Sequence, residues 1–241
     1  MSVVFPAYNE AGNIRQAIDD FLAFPAVDEV VVVDNNSRDE TASLARAAGA
    51  RVVQEVRQGY GYALRRGLQE ADGEYVIMAE PDGTFIAKDL LKLLAYSDDF
   101  DMVLGTRTTR ELIWRQANMG WFLRVGNLLV AKLLQVLFSG PSLSDCGCTM
   151  RLVHRETLDQ LIPRLTVGSS HLLPEMDILS LLLGRRIIEV PVNYRGRVGS
   201  SKITGSRIRA FTVGLQMIAL ILRYRFLPRY RLLPRSSGVT S

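Results

Sequence analysis

The chain has 241 residues, of which 48% are hydrophobic and 22% are charged. This length is sufficient for one large core with a short extension, and this composition excludes an intrinsically disordered chain. The two cysteines, Cys146 and Cys148, are separated by one glycine. Because this spacing does not fit a zinc knuckle and two thiols provide no disulfide framework, we expect a protein of a reduced, cytosolic environment.

The charge is distributed unevenly, although the formal net charge is only +4. Residues 195–241 contain ten Arg or Lys and no acidic residue, and subtracting these from the chain totals leaves 19 basic against 25 acidic residues in 1–194. A basic tail indicates an anionic partner, either a membrane surface or a nucleic acid. The apolar run at 210–222 favours the membrane, so we expect no nucleic-acid binding.

Apolar runs of strand length alternate with helical patterns along the first half of the chain. Runs of β-branched and apolar residues predict strands at 2–5, 29–33, 51–54, 74–78 and 102–104. Helices are predicted between them, at 14–22, 37–48, 59–71 and 90–95. Pro6 is expected to end the first strand, and Ser37 with Glu40 to form the capping box of the second helix. A strand that begins at Ser2 is expected to leave no room for a signal peptide. The alternation predicts an α/β fold with a mostly parallel central sheet and helices on both faces.

Acidic side chains follow three of the predicted strands at their carboxyl ends. Glu10 and Asp34 come after the first two strands, and Glu80-Pro-Asp-Gly83 comes after the run 74–78. This edge of an open α/β sheet binds ligands, and carboxylate oxygens suit Mg²⁺ or Mn²⁺ bound together with a substrate's phosphates. Glu80 and Asp82 are therefore candidate metal ligands. An acidic β-turn is the alternative for this pair, and a helix-start position is the alternative for Asp34.

Five short motifs then occur in order. They are Phe5-Pro-Ala-Tyr-Asn-Glu10, Val33-Asp-Asn-Asn-Ser-Arg-Asp39, Gly59-Tyr-Gly-Tyr-Ala63, Glu80-Pro-Asp-Gly83 and Gly105-Thr-Arg107. With them, the chain resembles the family-two inverting glycosyltransferases from residue 3 to about residue 205. It looks most like their polyprenyl-phosphate branch, which includes dolichol-phosphate mannose synthase. The resemblance implies the A-type nucleotide-sugar glycosyltransferase fold. The apolar and basic pattern that follows it predicts C-terminal amphipathic membrane-associated helices.

The resemblance implies that the donor site is built mainly from the first half of the chain. Pro6, Tyr8 and Glu10 would line the nucleoside pocket, and Asp34 would contact the base or ribose. Gly59 would let the backbone approach the nucleotide. Asp82 matches the last acid of the family's Asp-X-Asp motif, which holds Mg²⁺ or Mn²⁺ on the diphosphate. Glu80 stands where the motif usually has Asp, and its additional methylene shifts the carboxylate.

The acceptor side is implied by matches further along the chain. Arg107 and Arg124 match phosphate-binding arginines, a role that suits the planar, bidentate guanidinium. Asp145, in Ser144-Asp-Cys-Gly-Cys-Thr-Met-Arg151, would face the acceptor and could act as a base if the acceptor is a hydroxyl. In the same segment Thr149-Met150 departs from the family's Gly-Phe-Arg order.

Two later segments extend the resemblance. Glu175 matches an acid that begins a helix, where a carboxylate stabilised by the helix dipole is the structural alternative. Arg195-Gly-Arg-Val-Gly-Ser-Ser-Lys202 resembles the family's Arg-X-Gly-X-Ser-Lys loop. Arg197, Ser200 and Lys202 would close on the donor phosphates when substrate binds. A solvated basic loop is the alternative.

Two apolar segments are candidates for contact with a membrane. Residues 112–138 have a wide apolar face interrupted by cations, typical of a core-packed helix with snorkelling cations or of an interfacial amphipathic helix. The apolar run 210–222 is 13 residues long, and a spanning helix needs roughly 20. We therefore predict a catalytic domain at 1–204 and a basic amphipathic membrane-anchoring tail at 205–241. A chain that ends at Thr204 is expected to fold.

The sequence thus predicts a metal-dependent, inverting hexosyltransferase of glycan or cell-envelope biosynthesis. It would move a sugar from a nucleotide-diphosphate sugar to a polyprenyl phosphate, as a peripheral protein on the cytoplasmic face of the cell membrane. Transfer to a lipid or sugar hydroxyl is one alternative. A catalytically inactive scaffold that binds nucleotide and membrane is another.

Overall fold

The computed structural model describes residues 1–114, 121–196 and 207–227. The strands within these ranges are β1 (Ser2–Ala7), β2 (Glu29–Asp34), β3 (Arg51–Gln54), β4 (Tyr75–Met78), β5 (Met102–Thr106), β6 (Arg151–His154) and β7 (Ile187–Pro191). They form one sheet in the order β3-β2-β1-β4-β6-β5-β7. β6 is antiparallel to β4 and β5, and the other neighbours pair in parallel. The predicted α/β fold with a mostly parallel sheet is confirmed.

Helices cover both faces of this sheet. They are α1 (Ile14–Leu22), α2 (Thr41–Ala47), α3 (Tyr60–Glu70), α4 (Leu90–Leu94), α5 (Trp121–Phe138), α6 (Arg155–Leu161), α7 (Leu172–Leu182) and α8 (Arg207–Phe226). Short 3₁₀ turns occur at Ala87–Asp89, Arg110–Leu112 and Ile162–Arg164. The helices predicted at 14–22, 59–71 and 90–95 are confirmed to within one residue at each end.

The sheet separates two apolar layers, and β2 shows how its sequence serves both. Val31 and Val33 belong to the layer that includes α3 and α5 to α8, whereas Val30 and Val32 belong to the layer with α1, α2 and α4. Successive side chains of a strand point to opposite faces, so a strand buried on both faces has a continuous apolar sequence. This is why the run of four valines is compatible with a central parallel strand.

Two local predictions are wrong. Pro6 does not end the first strand, since β1 continues through Ala7. β1 pairs with β4 only from Ser2 to Val4, so Pro6 has a strand partner on one side alone and the missing amide is tolerated. The capping box also does not form: α2 begins at Thr41, and the Ser37 hydroxyl instead accepts a hydrogen bond from the Asn9 amide.

The C-terminal apolar run lies within α8, which packs against α5 and α7. One face of α8 is part of the core, through Met217, Leu220, Ile221 and Tyr224. We expected this segment to be separate from the catalytic core. That expectation is wrong for this face of α8, which packs in the core. No helix in the described ranges is long and apolar enough to cross a membrane.

Candidate active site

The polar residues predicted at strand ends meet at one edge of the sheet. β1, β2 and β4 are parallel, and β4 lies on the opposite side of β1 from β2 and β3. The chain order therefore reverses between β1 and β4, which is the position where open α/β sheets form a crevice for ligands. The segments that contain Glu10, Asp34 and Glu80 all leave the sheet at this edge.

Glu80 and Asp82 form a carboxylate pair immediately after β4. Glu80 is half-buried, and its Oε1 accepts hydrogen bonds from Thr149 Oγ1 at 2.7 Å and from the Tyr60 hydroxyl at 3.2 Å. Asp82 is buried, and its Oδ1 accepts from the amide and hydroxyl of Thr84 at 3.0 and 2.6 Å. Burial and then the neighbouring Asp82 charge raise the pKa of Glu80 to about 7.

The chemistry of this pair fits a divalent cation. Two adjacent carboxylates repel each other, and a cation between them removes both that repulsion and the cost of their burial. In the described part of the chain, no group of three or more Asp, Glu, His or Cys is arranged to hold a metal ion. Oxygen atoms of a bound diphosphate and water would have to complete the coordination, as is usual for Mg²⁺.

Tight backbone packing positions Tyr60 at the start of α3. The Gly61 amide donates to Gly168 O at 3.1 Å, and a Cβ atom at Gly59 would lie only 2.3 Å from the same oxygen. Glycine is therefore required at residue 59 for the approach of two backbone segments. The expected contact of Gly59 with a nucleotide stays a prediction.

The loops that follow β1 and β2 are hydrogen-bonded to each other, at the same edge of the sheet as the carboxylate pair. The Asp34 carboxylate accepts from the Ser37 amide at 3.1 Å, and the Glu10 amide donates to Thr41 Oγ1 at 2.8 Å. Asn9 has a positive φ of 56° and accepts from the Arg38 amide at 2.8 Å. Pro6 is buried in β1 and Tyr8 directly follows that strand. The structure thus brings the predicted nucleoside residues to one edge.

Arg107 and Asp145 form a bidentate ion pair beyond β5. Arg107 Nε and Nη2 donate to the two Asp145 oxygens at 2.7 and 2.9 Å, and the Arg107 amide adds a third bond at 3.1 Å. Asn127 Nδ2 and the Gly147 amide also donate to Asp145, at 3.0 and 3.3 Å. The carboxylate is fully buried, which corrects the expectation that it faces an acceptor.

Arg124 lies beside the same segment, because its Nη2 donates to Thr108 O at 3.1 Å. The Arg107 guanidinium lies 5.2 Å from the centre of the Tyr194 ring. Glu189, on β7, accepts from the Ser144 and Asp145 amides at 2.8 Å each. The two predicted phosphate-binding arginines are therefore close together, and Arg107 is held by its hydrogen bonds to Asp145.

A cleft of about 830 Å³ opens on the α1 side of Glu80. Its walls include Asn13, Gln16, Asp20, Glu111, Trp114 and Arg195. The Arg195 guanidinium stacks over the Trp114 ring at 4.6 Å, and Trp114 is 49% exposed. Amide, carboxylate and aromatic side chains together suit a polyhydroxylated ligand, since hydroxyls pair with the first two and a sugar face covers the third.

Other predicted residues lie away from this site or outside the described ranges. Glu175 is in the first turn of α7, as expected, but it is buried and accepts hydrogen bonds from the Thr166 and Val167 amides and the Tyr224 hydroxyl. These bonds support the structural alternative for Glu175. Arg197, Ser200 and Lys202 lie outside the described residues, so their contact with donor phosphates stays a prediction.

The family described as "Glycosyl transferase family 2" matches residues 2–162, about two thirds of the chain. The chain belongs to this glycosyltransferase family. Similar curated proteins include a dolichyl-phosphate hexose transferase of Haloferax volcanii, 33% identical over 84% of this chain and 86% of its own length. A dolichyl-phosphate beta-glucosyltransferase of Dictyostelium discoideum is 26% identical over 94% of this chain and 74% of its own length. These relatives confirm the predicted resemblance to the polyprenyl-phosphate branch.

The fold of this family 2 glycosyltransferase also resembles solved structures. One is glucosyl-3-phosphoglycerate synthase from Mycobacterium tuberculosis in complex with Mn²⁺, uridine diphosphate and glucosyl-3-phosphoglycerate. The likeness has a TM-score of 0.68 at 24% identity and covers 94% of this chain and 80% of that one. The predicted A-type nucleotide-sugar fold is confirmed.

Several residues of the glycosyltransferase site were not identified from the sequence. Asn35 is buried, and its side chain binds the Glu55 and Arg57 carbonyls and accepts from the Gly59 amide. It belongs to a recognised motif, so position in that motif was the available signal. Glu189 and Trp114 have no such signal, because their partners are remote in sequence.

Proposed function

We propose that this family 2 glycosyltransferase is a metal-dependent, inverting hexosyltransferase that uses a nucleotide-diphosphate sugar and a polyprenyl phosphate. The proposal is supported by a carboxylate pair and two neighbouring arginines at the ligand-binding edge of the sheet. The similarity to dolichyl-phosphate sugar transferases supports the choice of acceptor.

The donor half of the mechanism follows from the residues around β1, β2 and β4. Asp34 and the loop after β1 would hold the nucleoside, and Glu80 and Asp82 would bind Mg²⁺ or Mn²⁺ against the diphosphate. The cation would supply positive charge where the leaving diphosphate becomes more negative, which is commonly the largest contribution in such transfers. Arg197 and Lys202 would add further positive charge there, and the Ser200 hydroxyl would donate a hydrogen bond.

The burial and hydrogen bonds of Asp145 support a phosphate acceptor over a hydroxyl acceptor. A hydroxyl acceptor has to lose a proton during transfer, whereas a phosphate monoester is already largely ionised near neutral pH. Asp145 is fully buried and accepts five hydrogen bonds, so it is poorly placed to receive a proton. Arg107, held by this carboxylate, and Arg124 would instead orient an acceptor that brings its own negative charge.

We propose that the protein is peripheral on the cytoplasmic face of the membrane, and exposed apolar side chains support its contact with a bilayer. α5 exposes Val125, Leu128, Leu129 and Val136, and α8 exposes Phe211, Leu215, Leu222 and Phe226. At 100° per residue, the α8 set lies on the side opposite its buried residues. Arg223 and Arg225 are exposed beside this stripe, as expected of a helix that binds an anionic bilayer surface.

A second candidate is transfer to a hydroxyl of a small phosphorylated acceptor. It is favoured by the likeness to glucosyl-3-phosphoglycerate synthase, one structure of which contains phosphoglyceric acid. Arg195, which lines the cleft beside Glu80, could pair with the negative charge of such an acceptor.

An acceptor competition distinguishes the two candidates. The full chain is incubated with Mn²⁺, labelled UDP- and GDP-hexoses, and equal concentrations of a short-chain polyprenyl phosphate and 3-phosphoglyceric acid. We expect label only in the lipid product. Label only in the phosphoglycerate product would support the second candidate instead.

A further inference from the structure

Three oxygen atoms converge at the Glu80 carboxylate. The Tyr60 hydroxyl and Thr149 Oγ1 lie 2.5 Å apart, and they lie 3.2 and 2.7 Å from the same Glu80 oxygen, Oε1. Each hydroxyl has a single proton. Thr149, at the shorter distance, therefore donates to Glu80, and Tyr60 donates to Thr149 or directly to Glu80. In either arrangement the hydrogen bonds hold Glu80 Oε1 in place and fix the rotation of the carboxylate.

The three residues come from separate parts of the chain that the fold holds rigidly. Glu80 follows β4, Thr149 precedes β6, and Tyr60 is the first residue of α3. Thr149 is 1% exposed, and the start of α3 is held by the bond from the Gly61 amide to Gly168 O. These supports allow two hydroxyl groups to act as fixed donors rather than as mobile surface groups.

Glutamate at position 80 needs such support more than aspartate does. Its additional methylene adds a rotatable bond, so an isolated Glu carboxylate samples more positions and is a less well-oriented ligand. Groups that hydrogen-bond to a ligating carboxylate orient it and tune the metal site. Glu80 and Thr149 are also two positions at which the sequence departs from the family pattern, and the structure joins these departures by a hydrogen bond.

We propose that Tyr60 and Thr149 are positioning residues that fix Glu80 as a ligand of the donor-site cation. With them, glutamate performs the task that aspartate performs in the usual motif. The inference rests on the metal site of the proposed function. The two hydroxyls have no contact with the cation in this scheme and act only through Glu80.

Mn²⁺ binding tests the proposal without an activity measurement. Mn²⁺ is titrated into the full chain, and the free ion is measured by its electron paramagnetic resonance signal. We expect Tyr60→Phe and Thr149→Val each to weaken Mn²⁺ binding by about tenfold, the effect of losing a hydrogen bond to a charged group. Thr149→Ser keeps the hydroxyl and should bind Mn²⁺ within about twofold of the unchanged chain.

A double-mutant cycle separates positioning from a general structural effect. Asp at position 80 is too short to keep both hydroxyl contacts. In the Glu80→Asp chain, Tyr60→Phe should therefore weaken Mn²⁺ binding by less than about twofold. Tyr75→Phe, at the other end of β4, is the matched tyrosine control. Thr157→Val is the matched threonine control, because Thr157 Oγ1 is buried without a hydrogen-bond partner among the described residues.

Thermal melting of each variant shows which chains are folded at the titration temperature. The proposal is overturned if Tyr60→Phe and Thr149→Val bind Mn²⁺ as tightly as the unchanged chain while Asp82→Asn has lost it. It is also overturned if Tyr60→Phe has the same effect with Asp as with Glu at position 80. If Asp82→Asn binds Mn²⁺ normally, the metal site of the proposed function is itself wrong.

Discussion

Replacement of Asp145 separates a positioning role from proton transfer. Asp145 is fully buried, and the side chain of its partner Arg107 is 15% exposed. Arg107 donates two hydrogen bonds to Asp145, at 2.7 and 2.9 Å. In Asp145→Asn the side chain keeps one acceptor oxygen but loses its charge, and its amide group faces guanidinium donors. We expect Arg107 to become mobile and acceptor use to fall, while donor binding is retained.

The magnitude follows from the geometry of the pair. One charge-assisted hydrogen bond contributes about 1.5–3 kcal/mol, and breaking a buried ion pair costs about 3–5 kcal/mol. Because Asn retains one acceptor and Arg107 can reach solvent, we expect the interaction that holds Arg107 in place to weaken by about 2–3 kcal/mol. If this acts on acceptor binding, kcat/KM for polyprenyl phosphate should fall about 30- to 150-fold. The melting temperature should fall by about 4–12 °C for a chain of this size.

The assay is a kinetic cycle of Asp145→Asn and Arg107→Ala, with donor affinity measured separately by thermal shift. If Asp145 acts only through Arg107, the double variant should be no slower than Arg107→Ala alone. Asp159→Asn, an exposed residue of α6, is the control for loss of one negative charge. Multiplicative losses in the double variant would refute the positioning role and support direct action of Asp145 on the reacting atoms.

Mn²⁺ affinity should rise between about pH 6 and pH 8, because burial and a neighbouring carboxylate raise the pKa of Glu80 to about 7 and its proton competes with the cation at lower pH. An affinity that does not vary with pH in the same resonance titration would contradict this. Replacement of Leu215 and Phe226 by Gln should release the chain from anionic liposomes in a flotation assay without lowering its melting temperature, since both side chains are at least 50% exposed. Gln216→Ala is the matched control, and unchanged flotation would mean that another surface binds the membrane. A chain that ends at Thr204 should not fold, because α8 contributes four buried side chains worth about 1.5–3 kcal/mol each, together comparable to the stability of a typical domain. A cooperative thermal transition of this shorter chain would refute that expectation.

The strands of the sheet were predictable because each is recognisable from the residues of its own segment. The four valines from 30 to 33 are enough to predict a buried strand. Acidic residues at strand ends indicate a ligand-binding edge even when the strand order is not known. Pro6 was misjudged because its tolerance depends on where β4 stops pairing with β1. That information is not contained in the residues around Pro6.

The apolar run 210–222 illustrates a different limit. Its residues are apolar on both sides of the helix, so periodicity does not reveal which side packs on protein. The structure shows Ile221 buried and Leu215 exposed, and both observations are needed to separate a core contact from a candidate membrane surface. The sequence alone therefore led to the assignment of the entire segment to an anchor.

The arrangement of the candidate site was less predictable than its residue content. Arg107 and Asp145 are 38 positions apart, and Glu80 and Thr149 are 69 apart. Resemblance identified Arg107, Asp145 and Glu80 as site residues, but the ion pair and the hydroxyl contacts depend on how β5, β6 and the following loops pack. The resemblance implied that Asp145 faces the acceptor, whereas the structure shows that it holds an arginine.

The central claim is that the transferred sugar is joined to a polyprenyl phosphate with inversion at its anomeric carbon. The most direct measurement is mass spectrometry and proton NMR of the product formed by the full chain from a nucleotide α-hexose, Mn²⁺ and a short-chain polyprenyl phosphate. We predict a hexosyl phosphodiester of the polyprenol with the β configuration, absent when Asp82→Asn is used. Formation of an α-linked product, or hydrolysis of a bound donor without any lipid-linked sugar, would contradict the account.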